Sequence, residues 1–504
     1  MLFFAALFLL GVVCIRQYGV PYDEGTMDSL AHDSYSYVFR GGEWPTTNAW
    51  RYHGTFVELP LYALEEWASP ADHPATIYKR VFVRHFFGAF LFLFLSTLVV
   101  FAHARRHFKN VWWGLLGALL FLLLPRIFAH GFYNTRDIPQ IALFGLAMLT
   151  LLKLLDTRTI SSAFLHGLAI AMALALRMSA LILIPITMGF LILEYLRADE
   201  HADTMPFFSY VTLGAVTMLT AVFAVWAFWP FLWSAPIAHF LEAYRFMSSL
   251  GSNVVFLGKT YEHLPWLYVP VWIAVTIPPV TLLLCVTGVI TSAIGIWLQA
   301  RKLNAEARDR LLYLCWLILP VLAIHLSGAG IYLEWRHVFF LAPAIILLAL
   351  IGLKDLLDWS APKKWIHGGL IGIVTLQIGV TGFWMIRNHP HEFMYYSIPL
   401  KTAVPMFLDD YWALSYRTAA RAALDLQPKG IITMYSDENV AFQNMYTVYP
   451  ESLARVMRVP TIAEASLVLT RSKDIAKDLE PLKLIQVDGV TINGVYKGGA
   501  YVGR

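Results

Sequence analysis

The chain reads as long apolar runs joined by short polar loops, with two polar stretches standing apart. Apolar runs cover Leu2 to about Val20, His85–Ala102, Val111–Phe128, Ile138–Leu154, Phe207–Trp233, Val280–Leu298, Leu311–Leu326, Val338–Leu353 and Ile366–Ile386. A helix needs about 20 such residues to cross a hydrocarbon core. One further run, Ser162–Tyr195, would extend about 51 Å as a single helix, far beyond a core of roughly 30 Å. Arg177 interrupts that run, and a guanidinium in lipid is expensive. Two short helices broken at Arg177-Met178-Ser179 remove both problems and bring the expected total to eleven spans. The expected fold is therefore a mainly α, polytopic membrane protein.

The polar stretches are Pro21–Arg84 and the tail Arg387–Arg504. The tail has a helical pattern near Asp409–Leu426 and strand-like runs at Gly430–Tyr435, Ala465–Thr470 and Leu484–Tyr496. Asp488-Gly489 and Asn493-Gly494 supply turn signals. The expected organisation is a transmembrane unit over residues 1–386, including the loop 21–84, and a small α/β unit over 387–504. The first run lacks a basic leading segment and a small-x-small cleavage site, so it reads as a retained anchor.

Composition narrows the class. Of 504 residues 58% are hydrophobic and only 14% charged, against about 25% charged in soluble domains. A net charge of +4 with no basic tail leaves no case for a nucleic-acid partner. The three cysteines, Cys14, Cys285 and Cys315, lie in apolar runs without metal-binding spacing. Most short-loop Lys and Arg fall in His103–Lys109, Lys153–Arg158, Arg301–Arg310 and Lys354–Lys364. Eleven spans put all four loops on the side of the N-terminus, which the positive-inside rule makes cytoplasmic. The loop 21–84, His130–Asp137, Gly328–Arg336 and the tail then face outward.

The unusual polar residues gather on that outer side. Asp23-Glu24 follows the first span, and Arg136-Asp137 precedes Ile-Pro at the fourth. Each has a plain structural reading: solvated carboxylates for the first pair, a salt bridge and helix N-cap for the second. A chemical reading is proton abstraction beside an anionic lipid headgroup.

An acidic pair after span one and an Asp before Ile-Pro in the next outer loop resemble the C-type (GT-C) glycosyltransferases. The resemblance is nearest to polyprenyl-phosphate-sugar-dependent enzymes, akin to protein O-mannosyltransferases and aminoarabinose transferases. Gly258-Lys-Thr-Tyr-Glu-His-Leu-Pro-Trp, the Glu334-Trp-Arg-His337…Pro343 segment, and His389-Pro-His-Glu-Phe-Met-Tyr-Tyr396 followed by Asp409-Asp-Tyr-Trp412 are similar to further stretches of that family. His337 stands where the family usually has Tyr, and Ser397 where Asn is common. The likeness runs from residue 1 to about 420.

The resemblance implies an inverting displacement at the outer face of a bacterial inner membrane. A hydroxyl acceptor, on a lipid, glycan or protein, would attack a sugar carried on polyprenyl phosphate. Asp23 is the candidate base, with Glu24 or Asp137 orienting the acceptor or supporting a divalent metal that no spacing here fixes. Arg136 or Arg51 nearby would keep Asp23 ionised. Arg177, Arg336 and Lys259 are candidates for holding the phosphate, with Arg136 and His337 beside them. Aromatic segments Trp226–Trp233 and Leu264–Trp272 are candidates for an isoprenoid groove or for the interfacial belt. The rival from another class is a lipid or sugar transporter without catalysis, which calls for ionisable groups near mid-membrane and repeat symmetry. A surface scaffold and an O-antigen ligase or polymerase are further alternatives. The topology predicts that a cysteine placed at Tyr22 in intact cells is labelled by an impermeant reagent. Protection of that position would overturn the assignment of sides.

Overall fold

The computed structural model describes the chain apart from residues 45–48, 70–73, 199–204, 250–252, 299–303, 329, 408, 450–451, 453 and 502–504. Arg301 and Lys302 of the expected basic loop lie outside the described residues. Among the described residues, eight helices are long and apolar enough to cross a membrane: Tyr78–Phe108, Asp137–Thr157, Met178–Arg197, Phe207–Phe228, Pro279–Leu298, Ala305–Ser327, Arg336–Ser360 and Lys364–Asn388. Three shorter apolar helices, Leu2–Gln17, Val111–Leu122 and Ile160–Leu174, complete the order expected from the sequence. Numbered in chain order as apolar helices 1 to 11, they make a mainly α, integral membrane architecture.

Local chemistry sets the ends of these helices. The side chain of Asn110 caps helix 3 by accepting from Trp112 N, Asn304 caps helix 9 in the same way, and Thr159 forms a capping box with Ser162 at helix 5. Lys109 and Arg158 close the turns 2–3 and 4–5 in the left-handed region. In helix 2 the residues Arg84–Phe90 form a π-helical turn, whose extra residue leaves both Arg84 and His85 buried.

Helices 4 and 10 form the centre, with 78% of each apolar window buried, whereas helix 11 is 17% buried and borders lipid. Helices 8 and 10 cross backbone to backbone. A Cβ on Gly288 would run into the carbonyl oxygen of Leu348, and one on Gly352 into that of Leu284. Small residues permit such close approach between apolar helices.

The basic loops converge at one end of the bundle. Arg106 pairs with Asp156 at 2.7 Å and with Asp309, Arg158 with Glu194 at 2.9 Å, and Arg310 with Asp355 at 2.8 Å. Asp23, Asp137, Arg177 and Arg336 all lie at the other end.

The tail carries a five-stranded sheet in the order β4-β3-β5-β7-β6, after a small β1–β2 hairpin (Val254–Phe256, Lys259–Tyr261) earlier in the chain. Its strands are β3 Ile432–Tyr435, β4 Val456–Arg458, β5 Leu467–Thr470, β6 Pro481–Val487 and β7 Val490–Lys497. β3 is parallel to β4 and β5, while β7 is antiparallel to β5 and β6. Asp488-Gly489 makes the expected turn, but Asn493-Gly494 lies inside β7. The Asn493 side chain there donates to Ser415 Oγ instead of forming a turn. The tail helix begins at Ser415, six residues after the expected start, because Asp409–Trp412 is drawn to the end of the bundle opposite the basic loops, against Glu334 and Arg336.

Replacing Gly288 by Val forces helices 8 and 10 apart. The expected cost is roughly 1–3 kcal/mol, the range for overpacking. Thermal unfolding in detergent measures it, and an unchanged midpoint would contradict the packing.

Candidate active site

Asp137 is the first residue of helix 4, and its side chain is fully buried. The sequence pattern suggests Asp137 as the cap, but the N-cap position falls on Arg136, without a side-chain cap, and Asn134 holds the preceding turn. Its Oδ1 accepts from Arg136 N at 3.1 Å and Asp137 N at 2.8 Å, while its Nδ2 donates to Asp137 Oδ2 at 2.7 Å. The expected Arg136–Asp137 salt bridge is also replaced. Arg136 donates to the carbonyl of Leu176 at 2.9 Å, and Asp137 pairs with Arg177 and, at 3.5 Å, with Arg336.

Arg336 continues to Asp23, 3.7 Å away, whose side chain remains 40% exposed. One guanidinium therefore links the two carboxylates singled out in the sequence. Arg177 sits at the junction of helices 5 and 6, against the start of helix 4, and not at mid-membrane. Partial burial pushes the Asp23 carboxyl above its ordinary range; the Arg336 charge pulls it down and does not prevail. Arg51, expected as a possible neighbour of Asp23, pairs with Glu242 at 3.1 Å.

Arg136 is buried among like charges. Burial first, and the Arg177 charge next, lower its guanidinium to about 10. Among the described residues the buried Nε atoms of Arg136, Arg177 and Arg336 have no hydrogen-bond partner. Arg136 and Arg336 line a cavity of about 40 Å³ together with Asp23, Glu24, Arg84 and Trp412, among others, while Arg177 pairs with Asp137. Unsatisfied donors of one sign, converging on a cavity, suit an anionic group.

The other expected residues are placed as follows. Glu24 lines the same cavity but pairs with His85 at 2.9 Å, held there by the π turn. His337 follows Arg336 and lies edge-on to Tyr332, with ring centres 4.6 Å apart. Lys259 is exposed on the β1–β2 hairpin, where Gly258 N donates to Met406 O at 2.9 Å, and it is not drawn into the cluster. Trp226–Trp233 and Leu264–Trp272 serve different places: Phe231 lines a second cavity, whereas Trp272 lies under Arg126 at 5.7 Å. Among the described residues no group of three or more His, Cys, Asp or Glu is placed to hold a metal.

Sequence reasoning missed a second layer behind Asp137. His130 Nδ1 accepts from Asn134 Nδ2 at 2.9 Å, and its Nε2 lies 3.4 Å from Glu334. Glu334 pairs with Arg126 at 2.6 Å and accepts from Tyr411 of the tail at 2.8 Å. The tail also grips the segment that leads to Asp23. Asn444 makes two hydrogen bonds to the backbone of Val20, Arg417 donates to Tyr18 O, and Tyr22 N donates to Trp412 O. Trp412 in turn lies under Arg336, 4.8 Å from ring centre to guanidinium. The Asn-x-x-Asp spacing was the available signal for Asn134; the grip by Asn444, more than 400 residues away, leaves no local signal.

Among the described residues, eleven apolar helices thus carry a carboxylate–arginine cluster at one end, and the tail packs against it. Residues 75–229 match the family model for dolichyl-phosphate-mannose-protein mannosyltransferase. A structure of ArnT from Cupriavidus metallidurans bound to undecaprenyl phosphate aligns over 98% of this chain and 97% of that one, with 13% identity and a TM-score of 0.46. The archaeal oligosaccharyltransferase AglB from Archaeoglobus fulgidus, in complex with an inhibitory peptide and a dolichol-phosphate, aligns over 88% of this chain and 63% of that one, with 11% identity and a TM-score of 0.45. A search of the curated proteins returns no match.

Glu334→Gln leaves Arg126 buried without its countercharge, so a loss of roughly 3–5 kcal/mol is expected. Burial raises the Glu334 carboxyl, but Arg126, His130 and the Tyr411 hydroxyl together outweigh it and hold the group below its ordinary value. Its contribution is therefore present above the ordinary carboxylate range and is lost as pH falls through the depressed value. Unfolding of wild type and variant between pH 3 and 7 tests this, since the gap between the two must close at the acid end.

Proposed function

We propose that the chain is a membrane glycosyltransferase that transfers a sugar from a polyprenyl-phosphate donor to a hydroxyl acceptor. The family model over residues 75–229 supports the class. The observation that carries the chemistry is the trio of buried, unpartnered guanidinium Nε atoms beside two carboxylates.

In this reading Asp23 accepts the acceptor's proton as the hydroxyl oxygen bonds to the anomeric carbon. The bond from that carbon to the phosphate oxygen breaks in the same step, inverting the centre. The departing phosphate carries its charge to Arg336, Arg177 and Arg136, so it needs cations and no proton donor. Asp137 does not act as a base here: held between two arginines, it fixes where they stand. Glu24, tied to His85, orients the segment next to Asp23. A carboxyl raised above its ordinary value makes a stronger base than a free aspartate, and 40% exposure gives a hydroxyl access to it. The cavity of about 40 Å³ holds a few waters and not a sugar phosphate, so binding requires Trp412 or the segment around Pro21 to move outward. The division into residues 1–386 and 387–504 belongs to the same proposal, as does the extracytoplasmic placement of the site and tail.

Incubation of membranes with radiolabelled polyprenyl-phosphate sugars tests the reading. Asp23→Asn is expected to abolish labelling at unchanged membrane abundance, and full activity in that variant would remove the base assignment. In the wild type, activity should fall with acid through a value above the ordinary 3.8 of an aspartate, because only the ionised form accepts a proton. Arg336→Ala is expected to lower activity at least a hundredfold.

A further inference from the structure

The second cavity, about 400 Å³, lies in the outer loops and is unused by the reaction described above. Its size falls within the range of small-molecule sites. Three aromatic rings wall it. Tyr37 and Trp44 meet at right angles, 5.3 Å apart, and Phe231 lies 5.8 Å from Trp44.

Polar groups of both kinds face the same space. Trp44 Nε1 and Arg51 Nε are buried donors without a hydrogen-bond partner among the described residues. Glu242 receives Arg51 at 3.1 Å and the Tyr52 hydroxyl at 2.6 Å, both on Oε1, which keeps Oε2 as an acceptor. His239 uses Nδ1 on the carbonyl of Phe231 at 2.6 Å. A carbonyl only accepts, so in the neutral ring Nε2 is an acceptor.

Aromatic faces with mixed donors and acceptors discriminate among ligand classes. An anion would meet Glu242, and a cation would meet Arg51. An isoprenoid chain would leave two buried donors unpaired, at a cost for each. A ring that offers hydroxyls at its edge and C–H groups on its face satisfies every group.

The cavity also adjoins the candidate active site. Arg51 lines the cavity, and His53 lies in the fields of Arg136, Arg177 and His337. They lie two positions apart, a reach of at most about 7 Å. Gly54 then packs on the Ala175 carbonyl, two residues before Arg177.

We infer that this cavity binds a neutral sugar ring of the acceptor, so that the acceptor is a saccharide-bearing molecule and not a bare protein hydroxyl. This rests on the transfer reading, but the cavity's own binding is separable from it.

The test uses the full chain in lipid nanodiscs with two probes: an array of neutral oligosaccharides, and a Ser/Thr-rich peptide. Wild type and Asp23→Asn are expected to retain oligosaccharides equally. Trp44→Ala and Glu242→Gln should each weaken retention at least tenfold, and neither probe change should affect donor KM. Glu242 is partly exposed, so Glu242→Gln decides the matter should Trp44→Ala fail to fold. Oligosaccharide binding without sugar transfer would sink the transfer reading and leave the cavity's saccharide binding standing. Transfer without oligosaccharide retention, retention that survives both substitutions, or retention of the peptide alone overturns the inference.

Discussion

The end of the bundle opposite the basic loops depends on one buried carboxylate held by two arginines. Asp137 begins helix 4, Arg177 ends the break between helices 5 and 6, and Arg336 begins helix 10. Three chain segments far apart in sequence are thus joined at one point. A fully buried carboxylate is tolerable only with such partners, and its Oδ2 also accepts a hydrogen bond from Asn134 Nδ2. Because Arg336 reaches on to Asp23, the same pairing fixes the start of the loop after helix 1. Electrostatics here determines the geometry of the cluster.

Behind that point, polar contacts pass outward through His130 and Glu334 to Tyr411 of the tail. The tail therefore contributes to the site's wall and to the backbone on which Asp23 is carried. Its sheet does not touch the reactive groups directly. Its loops and helices do the holding: Trp412 beneath Arg336, Asn444 against Val20. Such contacts explain why Asp409–Trp412 abandons the helical pattern that its sequence shows. Pairing with buried partners outweighs local propensity.

The apolar helices were legible because lipid imposes a length and composition that few other environments demand. The break at Arg177 was legible for the same reason. The acidic residues of the outer loops could be singled out, since charges are scarce, and Asp23, Asp137, Arg177 and Arg336 do meet. Their pairing was not legible: Arg136 neighbours Asp137 in sequence but turns to a backbone carbonyl, while the true partners lie 40 and 199 residues away. Lys259 illustrates the opposite failure, since a cation in an outer loop reads alike whether it faces a site or water. β4 and the interior place of Asn493-Gly494 were also missed, because short strands carry little periodic signal and an Asn-Gly pair fits a strand when its side chain finds a buried partner.

The π turn at Arg84–Phe90 fixes the rotational phase of helix 2. Removing its extra residue would restore an ordinary α-helix and swing everything beyond it by about 100° relative to the outer half. The outer half is anchored by Arg84 and His85 to Glu65 and Glu24, and the far end by Arg106 to Asp156 and Asp309. Both anchors are met at once only with that residue in place. Away from those anchors, sequence drift in this helix is therefore tolerated in side chains but not in length, and any descendant that shortens the turn must rebuild one end of the bundle.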